Sequence, residues 1–430
     1  MMSKQVELAY GRHGLRIDVP DAAHVLNSRF VAGLADEAAA IEAALANPIG
    51  TVPLAELVKA GDRVVIVHSD ITRATPNDRI QPVLIQALEA AGVRAEDITL
   101  LNALGTHRPQ TDAELRQMLG DAIVDKYRCE QHNAFDDGAL VPLGVTKRGN
   151  PVRVNRRYME ADVKILTGFI EPHFFAGFSG GPKGVLPALA GQESVLSNHG
   201  VAMIEHPNAI WGITQGNPIW EEMLEVARMT NPALILNVTL NVHKAITGVF
   251  AGDVREAHAA GCAFVQEQSM VPVDRPYDIV VTTNSGYPLD QNLYQCVKGM
   301  SAARKIVRPG GTIIMAGSCE DGLPDHGMYA ELLRRGASAR GVLDMLHTPD
   351  FGEQDQWQVQ IQAQILEHAQ VYVYSDGLTD AQIRDALFLP TRNIEQTLAE
   401  LSVEYGGNPR ICVLPEGPQT VGYLAQGVPG

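Results

Sequence analysis

Short apolar runs rich in β-branched residues recur along this chain, each followed by a polar cluster and then by a stretch of helical periodicity. Residues 62–68 read DRVVIVH, the polar SDITRATPNDR follows, and the helical pattern IQPVLIQALEAAG runs to Gly92. A second run, DITLLNALG at 97–105, precedes the helical TDAELRQMLG, and a third, DVKILTGFI at 162–170, leads into EPHFFAGFSGGPKG. Strands that alternate with helices pair in parallel, because each crossover returns the chain to the same end of the sheet. The pattern restarts after Pro272–Pro276, with the strand YDIVVTTN (277–284), the helix LDQNLYQCVKGMSAARKIV (289–307), a PGG stop and the strand TIIMAG (312–317). An open, doubly wound sheet is the natural fold for such a unit.

A chain of 430 residues exceeds one ordinary core. The expectation is an α/β protein of two domains, each with a parallel-rich, doubly wound sheet, and a cleft between them. Residues 1–270 form the first domain and 271–410 the second. The late run RICVLP at 410–415 either stays with the second domain or returns to the first. In open α/β sheets ligands bind beyond the carboxyl ends of the strands. Four polar clusters fall there: 69–75, 105–108, 171–183 and 284–298.

The formal charge is −16. A surface that acidic repels nucleic acid and anionic membrane, so neither is an expected partner. An anionic substrate would need Arg and Lys residues turned inward to offset the global field. The opening MMSKQVELAY lacks the apolar core of a signal peptide, and no run of about 18 apolar residues occurs, so a cytoplasmic protein is predicted. The five cysteines (Cys129, Cys262, Cys296, Cys319, Cys412) form no CxxC pair, which predicts free thiols and excludes a cysteine-rich zinc site.

In the first cluster, Ser69, Asp70, Thr72 and Arg73 directly follow a strand. Hydroxyls and a guanidinium there suit a phosphate or carboxylate, since the guanidinium fork matches two oxygens. The same residues read equally as a helix N-cap with a surface ion pair. In the second, Thr106-His107-Arg108 sits between a glycine and a proline. Histidine suits proton transfer near neutrality, though a single loop histidine is more often only a surface residue.

The third cluster, EPHFFAGFSGGPKG at 171–184, has four glycines in eight residues. Gly180 and Gly181 let the backbone approach an anion closely, and Lys183 ends the loop as a phosphate contact or a reactive amine. Pro182 and Gly184 stand where a Walker A loop needs Gly and Ser or Thr, which disfavours nucleotide triphosphate hydrolysis. His173 lies upstream among aromatic residues. The bland alternative is a glycine-rich turn with a solvated lysine. His199, in SNHG, stands alone: there is no HExxH and no readable three-ligand zinc site, so a metal there would need donors from elsewhere. In the fourth cluster, Tyr294, Gln295 and Lys298 share one helical face that could close on an anion or simply face solvent. Trp357 is a further cleft residue or a packing residue.

Together these clusters resemble the nickel-pincer-nucleotide-dependent lactate racemase family. The matching pieces are SDITR at 69–73, THR at 106–108, EPHFFAGFSGGPKG at 171–184, SNHG at 197–200, YQCVK at 294–298 and DQW at 355–357. Their order and spacing agree over nearly the whole chain. The resemblance implies a racemase of small 2-hydroxy acids, lactate by default. The implied cofactor is a pyridinium-3-thioamide-5-thiocarboxylic acid mononucleotide that holds Ni(II) through two sulfurs and a ring carbon. It implies Lys183 as the covalent anchor and His199 as the protein's nickel ligand, a nearly square-planar set suited to Ni(II). His107 and His173 match the paired acid/base histidines, and Arg73, Gln295 and Lys298 match substrate-binding positions. Asp70, Thr72, Arg73, Gly180, Gly181, Tyr294 and Trp357 match positions around the cofactor, and 1–270 becomes the cofactor-binding domain. Cofactor biosynthesis enzymes are implied as transient partners.

The implied reaction moves the Cα hydrogen to the cofactor as hydride while one histidine takes the hydroxyl proton. A planar 2-keto acid forms, and hydride returns to its other face. Two bases on opposite faces serve the two enantiomers. The alternatives are the same chemistry on malate, phenyllactate, a short-chain aliphatic acid or a sugar acid; a nicotinamide-dependent 2-hydroxy acid dehydrogenase; or a nucleotide-binding module without chemistry. The dehydrogenase would need a GxGxxG after a strand with an acidic residue about 20 positions on, and no such arrangement occurs.

Overall fold

The computed structural model describes residues 3–324 and 327–425. It falls into two compact units. The first comprises Phe30–Asn198 and His206–Gln266; the second comprises the described parts of Met1–Arg29, His199–Glu205 and Glu267–Gly430.

The first unit is built on a six-stranded sheet: β1 (Val64–Ser69), β2 (Ile98–Ala103), β3 (Arg128–Gln131), β4 (Val163–Phe169), β5 (Leu234–Leu240) and β6 (Ile246–Gly252), in the order β6-β5-β4-β1-β2-β3. Five strands run parallel, and β6 pairs antiparallel with β5 at the edge. The chain steps from β1 to β2 and β3 on one side, then returns to β4 on the other side of β1. That reversal opens a crevice beyond the carboxyl ends of β1 and β4, the place where such sheets take ligands. Helix α1 (Asn77–Ala90) buries Ile80, Leu84, Ile85 and Leu88 against Ile66, Leu100, Ile165 and Leu236. Each such side chain stabilises the unit by about 1.5–3 kcal/mol on leaving water. Helices α2 (Asp112–Leu119), α3 (Gln192–Asn198), α4 (Pro218–Thr230) and α5 (Glu256–Ser269) follow in the chain. The Thr111 hydroxyl and the Glu114 carboxylate cap α2 reciprocally, which is why TDAE starts a helix there.

The second unit holds a parallel sheet of β7 (Tyr277–Thr283), β8 (Val307–Ala316), β9 (Ala369–Tyr374), β10 (Leu389–Thr391) and β11 (Ile411–Leu414). The order is β10-β9-β8-β7-β11, with the short strand His24–Val25 pairing beyond β11. Here the reversal lies between β7 and β11. Helix α6 (Leu293–Arg304) follows β7, and α7 (Gln356–His368) precedes β9.

The division differs from a single cut near residue 270. The RICVLP strand does not return to the first sheet; as β11 it pairs with β7 in the second unit. The N-terminal residues join it there. The hairpin Ser3–Leu8 and Leu15–Pro20 alternates apolar and polar side chains, and its Val6, Leu8, Ile17 and Val19 bury against Ile279, Val281 and Ile314 of the second sheet.

Candidate active site

Strand β1 ends at Ser69, and the next residues fold back rather than entering a helix at once. The Ser69 and Thr75 hydroxyls bond at 2.6 Å and close the loop. The Thr72 amide and hydroxyl both donate to Asp70 Oδ1, at 3.2 and 2.7 Å. None of these side chains caps α1, whose N-cap is Pro76. The first cluster is therefore a shaped loop, not the helix start that its composition also allowed. Arg73 is half-buried beside it.

The neighbouring strand β2 delivers the second cluster. Gly105 takes a left-handed conformation, its amide bonds Ala188 O, and His107 N bonds Leu104 O, which turns the His107 ring back toward β1. His107 Nδ1 lies 2.5 Å from Asp70 Oδ2. A carboxylate only accepts, so Nδ1 carries a proton, and in the neutral form of the ring the Nε2 lone pair is the one left for chemistry. Burial by itself pushes the Asp70 carboxyl up. The charge and hydrogen bond of His107, the Arg73 charge and the Thr72 hydroxyl outweigh burial and hold it well below the usual carboxylate range.

Beyond β4, Pro172–His173 pairs with Gly177–Phe178 in a tight hairpin. The His173 ring lies 4.8 Å from the Phe174 ring and 4.5 Å from that of Phe175, and Phe174 and Phe175 are both buried. Its Nδ1 accepts the Ala176 amide at 3.2 Å, so the neutral ring carries its proton on Nε2. The two histidines thus present opposite faces of the same chemistry: His107 a bare Nε2, His173 a protonated one. Gly177 has φ +78°, and a Cβ there would stand 2.2 Å from Ile213 O. Only glycine fits this close approach.

The chain continues into a short 3-10 turn, Gly181–Gly184, with Gly180 and Gly181 at φ +76° and +53°. The Gly181 amide bonds Asn237 Oδ1 of β5 at 2.7 Å. Lys183 is half-buried, with Nζ 5.5 Å from the centroid of the Phe175 ring.

The second unit carries the remaining sequence-predicted residues. His199, 3% exposed, directly follows α3 in the chain, and its carbonyl accepts Gln356 Nε2 at 3.4 Å. Its ring stands edge-on to Trp357 at 5.2 Å. Trp357 Nε1 donates to the Tyr294 hydroxyl at 3.1 Å. One turn along α6, Lys298 Nζ donates to Gln295 Oε1 at 2.8 Å, and Asn292 caps the helix through the Gln295 amide. On α6, Gln295 is thus tied to Lys298, and Tyr294 to Trp357 of α7.

The first unit therefore gathers Asp70, Thr72, Arg73 and His107 at one loop pair, with His173, Gly180, Gly181 and Lys183 on the next. The second gathers His199, Tyr294 and Trp357, with Gln295 beside Lys298. Among the described residues, no group of three or more His, Cys, Asp or Glu side chains is placed to hold a metal. The five cysteines are free thiols. Three polar residues inside the first unit escaped the sequence reading: Asn237, His258 and Glu222. Glu222, 1% exposed, accepts from Thr146, Asn150 and Asn198 at 2.7, 3.1 and 2.8 Å, and so fixes the residue before His199. Their only sequence signal is a polar residue set in an apolar strand or helix.

Residues 10–212 match the family model described as the lactate racemase N-terminal domain, and residues 273–421 match the lactate racemase C-terminal domain. The lactate racemase of Lactiplantibacillus plantarum is 38% identical over 379 residues, spanning 88% of this chain and 89% of that protein. The lactate racemase of Thermoanaerobacterium thermosaccharolyticum is 33% identical over 423 residues, 97% of this chain and 98% of its own. The solved apoprotein of the Thermoanaerobacterium enzyme superposes with a TM-score of 0.90, covering 97% of this chain and 100% of that one. A Thermotoga maritima protein, 19% identical, shares the fold with a TM-score of 0.71 over 92% of this chain and 100% of its own. The chain belongs to the lactate racemase family and is an isomerase of the racemase type.

Proposed function

We propose that this protein racemises a small 2-hydroxy acid, lactate first, with a nickel-pincer nucleotide anchored on Lys183 and ligated through His199. The observation that carries the reading is the pair of unlike histidines. His107, on the loop after β2, is backed by a buried carboxylate, and His173, on the loop after β4, is fixed by a backbone amide; these two strands flank β1 in the sheet.

The residues fit such a cofactor. A buried imidazole at His199, outside any group of three or more potential metal ligands among the described residues, suits a metal that arrives with donors of its own. A half-buried lysine on a turn that contains two left-handed glycines suits an amine that must be reached by another molecule, cofactor biosynthesis enzymes included. When bound, the cofactor supplies a reversible acceptor for the Cα hydrogen and its electron pair.

The chain supplies the rest. Arg73 and Lys298 offset the acidic field of the protein and hold the substrate carboxylate, and Gln295 orients Lys298. His107 Nε2 takes the hydroxyl proton of one enantiomer, and Asp70 stabilises the imidazolium that results. His173 serves the opposite face; its Nε2 proton goes to the nascent hydroxyl oxygen. Phe174 and Phe175 exclude water around it. Asp70, Thr72, Gly180, Gly181, Tyr294 and Trp357 shape the cofactor surroundings. Malate, phenyllactate, short-chain aliphatic and sugar acids remain alternative substrates of the same chemistry.

The test is chiral chromatography of these acids with nickel-loaded enzyme from cells that carry the cofactor pathway. Interconversion of lactate supports the reading, and interconversion of none of the acids rejects it. Lys183→Ala should return the bare polypeptide mass; a retained adduct would remove Lys183 as the anchor.

A further inference from the structure

The Gly180–Lys183 turn is gripped from two sides by residues that no motif contains. On one side Asn237 Oδ1 accepts the Gly181 amide at 2.7 Å. On the other, His258 Nε2 lies 2.9 Å from Ser179 O. A carbonyl only accepts, so Nε2 carries the proton, and the Cys262 thiol lies against the ring, 3.6 Å from Nδ1 and 3.5 Å from Nε2. The ring also fills space: a Cβ at position 181 would lie 2.5 Å from its Cγ and Cδ2. Trp220 stacks on the ring, with centroids 6.0 Å apart and planes at 16°. Both gripping residues are essentially inaccessible, Asn237 at 1% and His258 at 0% exposure.

We propose that His258 and Asn237 are positioning residues for Lys183: they lock the backbone on both sides of Gly180, so that the lysine amine is offered in one geometry. The proposal rests on the reading of Lys183 as the anchor, and it deepens that reading. Buried groups this well packed are costly to hold unless their hydrogen bonds are made, and here both bonds end on the same five-residue stretch. Burial, opposed by the Ser179 carbonyl and aided by the nearby Lys183 charge, lowers His258 to about 4, so the imidazole stays neutral beside the amine. A neutral clamp holds the turn without placing a second positive charge beside the lysine.

Two measurements test this on full-length protein. The first needs no cofactor: competitive acetylation with acetic anhydride, read by peptide mass spectrometry, with Lys164 and Lys244 as internal references. His258→Phe keeps the ring and the Trp220 stack but removes the donor, so Lys183 labelling should rise about fivefold relative to the references, the scale of one lost hydrogen bond. His258→Gln, which restores an N–H donor, should return it toward wild type. The second is the fraction of protein carrying the cofactor adduct by intact mass, which should fall by a similar factor in His258→Phe and recover in His258→Gln. A lower melting temperature with unchanged relative labelling of Lys183 would make His258 merely structural and overturn the proposal. Altered labelling in His258→Phe, with no adduct on Lys183 even in wild type, would sustain the positioning role and sink the anchor reading instead.

Discussion

His107 Nδ1 sits 2.5 Å from Asp70 Oδ2, and the carboxylate is buried at 3% exposure. The contact joins two loops that follow adjacent strands, because the register of β1 on β2 sets Ser69 opposite Ala103. One bond thereby decides the tautomer of the imidazole and its orientation.

Replacing the carboxylate by an amide keeps the shape and removes the charge. Asp70→Asn should fold and retain KM for lactate within a few-fold, while kcat falls by about 10²–10⁴ because the imidazolium loses its partner and the tautomer is no longer enforced. Initial rates of the nickel-loaded variant, taken from each pure enantiomer, check this; a kcat within threefold of wild type would leave Asp70 without a role in proton transfer.

Three buried histidines of the first unit make its stability depend on pH. Burial lowers His68, His132 and His258 to about 4 each, against an ordinary value of 6.5, with a carbonyl hydrogen bond opposing the shift in each case. Between pH 6.5 and 4 the unfolded chain binds these protons and the folded chain does not. Their contribution is therefore complete above about pH 6.5 and is lost as the pH falls, with a slope approaching about 4 kcal/mol per pH unit for three protons. Urea unfolding at pH 7.5, 6.0 and 5.0 should show falling stability, and replacing His132 by Gln should flatten the curve. A flat profile over that range would contradict the buried neutral state.

Gly177 is the position where a side chain cannot be accepted. Its left-handed φ of +78° and the 2.2 Å approach of Ile213 O to a would-be Cβ predict a loss of about 3 kcal/mol or more in Gly177→Ala. Because Gly177 pairs with His173, the same change should displace that ring and depress racemisation beyond the loss of folded protein. Denaturant midpoints and rates per folded molecule separate the two effects.

Much of the fold was legible because periodicity is a local property. The runs at 62–68, 97–105, 162–170 and 277–284 become β1, β2, β4 and β7, within a residue or two of the expected bounds. What the pattern did not carry was long-range. The N-terminal hairpin alternates like any half-buried ribbon, and nothing local says that it covers the second sheet. The antiparallel edge β6 follows from a turn after β5 that carries no helical segment. The site shows the same limit. Asp70 and His107 were each visible, but the bond between them spans 37 residues and depends on strand order. Asn237 and His258 were invisible as site residues, since one polar side chain inside LILNVTL or EAHAAGC is also how an ordinary satisfied core residue looks.

The central claim is that the Cα hydrogen leaves and returns with its electron pair, while only the hydroxyl proton passes through His107 and His173. Racemisation of pure L-lactate by nickel-loaded enzyme in D₂O, followed by proton NMR alongside chiral chromatography, tests it most directly. The account predicts that D-lactate accumulates to equality with its Cα hydrogen retained. Deuterium at Cα of the product would show that this hydrogen leaves as an exchangeable proton, and would contradict the account.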